Sequence, residues 1–221
     1  MYFTIFLTLL ILINTKTESI ALSNEQKCLL AIIKNLSIKN LVIVSNLQQP
    51  QTNNHQFLKY ISENNIFAQY STLWELRDEQ QRIHKLKTLY LLINNNNNEK
   101  DNNNNNNFFN NLPIIFNEEN EIFLSENKWI IFYNEDFKLK DLLKIYIPYN
   151  CQFLIAKSIT RRHFIISEIY YPKKFSDEIM VTHFGEWDEI NNLQILKNDF
   201  YQRSFNMNQT VLAVGGSYLV S

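Results

Sequence analysis

Hydrophobic residues in the first part of the chain recur with two spacings, one typical of helices and one typical of buried strands. Ser23 is followed three residues later by Gln26, a capping-box pair, and apolar residues then recur on one helical face. This pattern predicts a helix over residues 24–36. The uninterrupted apolar run at 41–44 predicts a strand covered on both faces. The next predicted elements are a helix around 57–61 and a strand at 66–70.

The order helix, strand, helix, strand indicates the α/β class, with a parallel or mixed sheet covered by helices. Leu139, Leu142 and Leu143 predict a short helix later in the chain. Four further strand candidates lie at residues 88–93, 129–133, 152–156 and 164–170.

Two asparagine runs, residues 94–98 and 102–107, interrupt this alternation. Asparagine prefers turns and solvated backbone, and such tracts have nothing to bury. We therefore expect an insertion loop on the surface over residues 94–111. A polar tract that self-associates is the alternative.

The N-terminus carries an apolar run at residues 5–13, followed by a polar segment. A membrane-spanning helix needs about 20 apolar residues, so this run has instead the length of a signal-peptide core. We predict a signal peptide at residues 1–21 and entry into the secretory pathway. A buried N-terminal strand or an uncleaved anchor is the alternative.

Secretion gives meaning to the cysteines and to two glycosylation sequons. In an oxidising compartment, Cys28 and Cys151 could form one disulfide bond, and the equal alternative is two buried apolar thiols. The sequons place possible N-linked glycans at Asn35 and Asn208.

The charge balance and the glycine content argue against several classes of partner and cofactor. The 221 residues include 21 Lys and Arg against 22 Asp and Glu, and no basic run exceeds the pair Arg161–Arg162, which argues against nucleic acid as a partner. The chain has only three glycines, whereas a phosphate-cradling loop needs several. We therefore expect no nucleotide cofactor, and no other cofactor is indicated.

The sequence indicates no catalytic or metal site, and we expect no enzyme. Glu186 and Asp188 flank Trp187, and we expect them to point apart into water from a loop. Arg161, Arg162 and His163 could bind an anion, but adjacent residues of a strand face alternate sides, so we expect a solvated turn between two strands instead. The four histidines show no pair at the i, i+4 spacing of a helical metal site: His55, His84, His163 and His183.

The last fifty residues are the most specific part of the sequence. The tripeptide Gly185-Glu186-Trp187 follows an apolar strand, and a later segment carries Arg203 and Asn206 among spaced apolar residues. This order resembles the joint between the amino-terminal and ligand-binding domains of insect variant ionotropic receptors, most closely the 75a-type branch. These receptors are chemosensory relatives of ionotropic glutamate receptors. The segment departs from the family pattern at two positions, where an arginine and a glycine are usual: Gln202 and Asn208.

The resemblance implies an amino-terminal extracellular α/β domain at residues 22–175. Residues 176–221 would then be a small β-rich linker and the first strand of a truncated ligand-binding domain, without a pore or a complete agonist site. Such a domain would act in folding, assembly and trafficking, with other ionotropic-receptor subunits as partners. It would meet the membrane only through a part of the receptor that this chain lacks, and it would lie on the extracellular face of the cell. A freestanding secreted small-molecule-binding protein is the alternative, followed by a secreted hydrolase.

Overall fold

The computed structural model of the protein describes residues 22–45, 54–79, 88–93, 108–133, 142, 144–171 and 179–196. Within these residues the helices are α1 (Asn24–Asn35), α2 (Asn54–Glu63), α3 (Leu73–Glu79), α4 (Phe108–Asn111) and α5 (Glu121–Glu126). The strands are β1 (Asn40–Ser45), β2 (Phe67–Thr72), β3 (Thr88–Ile93), β4 (Lys128–Tyr133), β5 (Gln152–Thr160), β6 (His163–Tyr170), β7 (Met180–Asp188) and β8 (Asn192–Ile195). Two 3₁₀ segments, Leu112–Ile114 and Glu118–Asn120, lie between α4 and α5.

All eight strands belong to one mixed sheet, in the order β2-β1-β3-β4-β5-β6-β7-β8. The first five strands pair in parallel. The pairs β5–β6, β6–β7 and β7–β8 are antiparallel. The predicted α/β class with a helix-covered sheet is confirmed. The domain boundary expected at residues 175/176 falls between β6 and β7, which are neighbours in this sheet.

One face of the sheet, called here the α1 face, is covered by α1 and α2. The capping box predicted at the start of α1 is present: the Ser23 hydroxyl accepts from the Gln26 amide at 3.2 Å, and the Gln26 side chain accepts from the Ser23 amide at 3.0 Å. Two backbone amides at the start of the helix thereby gain hydrogen bonds. The apolar face of the helix packs on the sheet. Its buried residues are Cys28, Leu29, Leu30, Ile32 and Ile33.

The opposite face, called the α3 face, has its core around Trp129 of β4. The Trp129 ring stacks on Tyr90 with 4.5 Å between centroids and meets Phe116 edge-on at 4.7 Å. Its indole N–H donates to the carbonyl oxygen of Leu124 at 3.1 Å, so a polar group that is fully buried remains satisfied. This cluster also contains buried residues of α3, α4 and α5.

The sequence located the strands well and the ends of the elements less well. All six strands predicted up to residue 170 form. β5 exceeds its predicted range, 152–156, by the most, because it continues to Thr160. The prediction of a loop over 94–111 is wrong at its end, because Phe108–Asn111 form helix α4 with Phe108 and Phe109 buried. Leu139, Leu143, residues 94–107 and the predicted signal peptide lie outside the described residues, whereas Leu142 is buried in the core.

Candidate functional site

Of the two equal alternatives for the cysteines, the structure shows the second, two buried thiols without a disulfide bond. Cys28 is buried in the core of the α1 face, and Cys151 is buried in the core of the α3 face. The sheet lies between them, so a bridge would require one side chain to cross it. Burial, with a smaller contribution from the charge of Glu25, raises the pKa of the Cys28 thiol far above its ordinary value. This cysteine is therefore a packing residue and a poor nucleophile.

The tripeptide Gly185-Glu186-Trp187 lies in β7, next to a β-bulge. Gly185 pairs with Ile166 of β6, whereas His183 pairs with the next residue, Ser167, so Phe184 is one extra residue in β7. The bulge shifts the alternation of side chains between the two faces. A glycine inside a strand pattern is a known signal of such a feature.

Gly185 is required by the close approach of β8. A Cβ atom at this position would lie 2.4 Å from the carbonyl oxygen of Gln194 and 3.1 Å from the Cα of Ile195. Both contacts are with backbone, which cannot rotate away as a side chain can. The absence of a side chain at Gly185 therefore lets β8 pair with β7.

Trp187 fixes the same hairpin to the α1 face. It is 3% exposed and belongs to the core that contains the buried side of α1. Its ring packs on Phe164 of β6, with 5.7 Å between the ring centroids. Gly185 and Trp187, two of the residues that carry the family resemblance, thus hold the β7–β8 hairpin on the sheet.

Glu186 lies on the α3 face of β7 between two histidines. Its carboxylate oxygens lie 3.1 Å from Nε2 of His163 and 3.5 Å from Nε2 of His183. Residues i and i+3 of a regular strand face opposite sides, and the bulge at Phe184 brings His183 and Glu186 to the same side. The expectation that Glu186 lies in a loop is therefore wrong, although its side chain is exposed as expected, at 49%.

Asp188 also lies in β7 rather than in a loop, and it organises the turn to β8. Its carboxylate accepts hydrogen bonds from the backbone amides of Asn191 at 2.7 Å and Ile190 at 2.8 Å, and from the side-chain amide of Asn191 at 2.9 Å. These bonds, those of Asn191 first, hold the pKa of Asp188 below its ordinary value. The Asp188 carboxylate therefore uses its hydrogen bonds to stabilise the turn.

Glu189 connects this turn to α1 and to the turn between β5 and β6. It lies 2.7 Å from Nζ of Lys27 and 3.4 Å from Nε of Arg162. The hydrogen bond and charge of Lys27, followed by the charge of Arg162, lower the pKa of Glu189. The prediction of a solvated turn at Arg161 and Arg162 is confirmed, since both are exposed between the two strands.

Other features of the described residues give no ready-made chemical site. No group of three or more His, Cys, Asp or Glu side chains in this part of the chain could hold a metal ion. None of the helices described combines the length and apolar character needed to cross a bilayer. An open groove of about 680 Å³ runs beside the amino end of β2, whereas open α/β sheets bind ligands beyond the carboxyl ends of their strands.

The remaining predicted site residues divide between the surface and the part of the chain that is not described. Asn35 is exposed as the last residue of α1, and the serine of its sequon, Ser37, is exposed as well. Asn208, Arg203 and Asn206 lie outside the described residues.

Sequence reasoning missed two features of this region. The pairing of Glu186 with both histidines depends on a bulge, and the lone Gly185 within a strand pattern was the available signal. Glu168 of β6 is only 2% exposed, and nothing in its neighbouring residues predicts a buried carboxyl group. No protein-family model matches the chain, and no curated protein matches it in sequence.

Proposed function

We propose that this chain is the extracellular amino-terminal part of a chemosensory ionotropic-receptor subunit, of the class of glutamate-receptor-like ligand-gated cation channels. It acts in folding, assembly and trafficking through association with other receptor subunits. The observation that carries the proposal is the position of the resembling residues. Gly185 admits β8 to the sheet, and Trp187 anchors β7 in the core.

A joint between two domains has to be held firmly on the domain that it leaves. The β7–β8 hairpin meets this need with a buried aromatic ring, a backbone contact that excludes any side chain, and the ion pair between Glu189 and Lys27 of α1. Beyond β8, the amide of Leu196 donates to the carbonyl oxygen of Phe184 at 3.1 Å. The chain thus leaves from an edge strand that is tied back to its neighbour.

The polar groups of this hairpin also favour a scaffold over a reactive centre. Asp188 is committed to its turn, Glu189 to α1, and Glu186 to two histidines, all at the molecular surface. A catalytic carboxyl group is more typically desolvated in a cleft, where its pKa is displaced towards the working pH. These contacts connect elements of the fold.

The proposal is tested by co-expression of the tagged 221-residue chain with an intact ionotropic-receptor subunit in insect cells, followed by affinity purification. We expect the subunit to co-purify with the secreted or membrane-retained chain, and an unrelated secreted protein with the same tag to recover none. A chain that is secreted and folded but never co-purifies with any receptor subunit contradicts the proposal. Micromolar binding of small carboxylic acids or amines by the isolated chain, measured by calorimetry, would favour the secreted binding protein instead.

Entry into the secretory pathway is tested separately. We expect the mature chain to lack Met1 and to lose mass on treatment with an N-glycosidase. The variant Asn35→Gln should lose the glycan at the exposed end of α1, and Asn208→Gln is the matched variant for the second sequon. Recovery of the chain only in the cytosol, with Met1 intact and Asn35 unmodified, contradicts this part of the proposal.

A further inference from the structure

We draw no further inference here: the strongest candidate, the exposed surface patch that Val181, His183 and Glu186 form on the α3 face of β7, carries none, because nothing in the residues that the structure describes shows what covers it.

Discussion

The parallel and antiparallel halves of the sheet are stabilised in different ways. In the parallel half, β1, β3 and β4 are covered on both faces and consist of nearly continuous apolar residues, so burial alone determines their positions. In the antiparallel half, β6 and β7 bury Phe164 and Trp187 on the α1 face, and the α3 face carries His163 and Glu186. Here a bulge, a glycine and surface ion pairs set the register. The parallel half depends on the packing of buried side chains, and the antiparallel half depends on local backbone geometry.

The largest effect should follow from removing volume in the parallel half. Trp129→Ala deletes a fully buried ring that stacks on Tyr90 and donates to Leu124, and we expect it to lower the free energy of unfolding by about 3–5 kcal/mol. Trp74→Ala is the matched control at a half-exposed tryptophan and should cost about 1 kcal/mol or less. Chemical denaturation measures both. Equal losses at the two positions would contradict the description of the core.

The antiparallel half should be most sensitive at its glycine. Gly185→Ala adds a methyl group 2.4 Å from the carbonyl oxygen of Gln194, so β8 has to move, and we expect a loss of about 1–3 kcal/mol. Hydrogen exchange should show the loss of protection in β8 while β4 keeps its protection. Ser167→Ala, beside the same bulge on β6, should change stability by less than about 0.5 kcal/mol. Unchanged exchange in β8 would refute the close contact.

A smaller effect is expected at the start of α1, which covers both halves of the α1 face. Ser23→Ala removes the hydroxyl that accepts from Gln26, and loss of such a cap typically costs about 1 kcal/mol. Ser62→Ala is the control, because its hydroxyl donates to the carbonyl oxygen of Lys59 near the end of α2 rather than capping a first turn. Thermal unfolding should separate the two variants, and equal melting temperatures would count against the capping box.

The smallest effect concerns the ion pairs that connect the hairpin with α1. Lys27→Ala should raise the pKa of Glu189 towards its ordinary value, because the hydrogen bond and charge of Lys27 are the main causes of its lowering. Since the lowered pKa belongs to the folded state, this contribution to stability is present above the unfolded pKa and is lost as the pH falls through the folded one.

Carboxyl NMR titration of Glu189 measures this shift. Arg162→Ala should raise the pKa less, because Arg162 is more exposed and lies 3.4 Å away rather than 2.7 Å. If the pKa of Glu189 rises more in Arg162→Ala than in Lys27→Ala, Lys27 is not the main cause of the lowered pKa.

The sequence predicted the parallel half well because burial on both faces leaves a clear apolar pattern. The run at 41–44 and the capping box at Ser23 and Gln26 both form as expected. Helix α4 was missed because Phe108 and Phe109 follow directly on an asparagine run, and two apolar residues show no periodicity. Their burial is decided by the core around Trp129, which no local pattern reveals.

The candidate site was predicted less well, because its contacts are formed across strands. Glu186 meets His163 only through the pairing of β6 with β7, and it meets His183 only because of the bulge. The position of Cys28 and Cys151 on opposite faces likewise depends on the whole sheet. Sequence spacing specifies neither strand pairing nor the face on which a helix packs.

The most direct test of the receptor assignment is to sequence the mRNA that encodes this chain. If the chain is the amino-terminal part of an ionotropic-receptor subunit, the reading frame should continue beyond the codon of Ser221. It should then encode the rest of a ligand-binding domain and three hydrophobic membrane spans. Transcripts that all end in a stop codon directly after Ser221, with no receptor sequence downstream in the gene, would contradict the assignment.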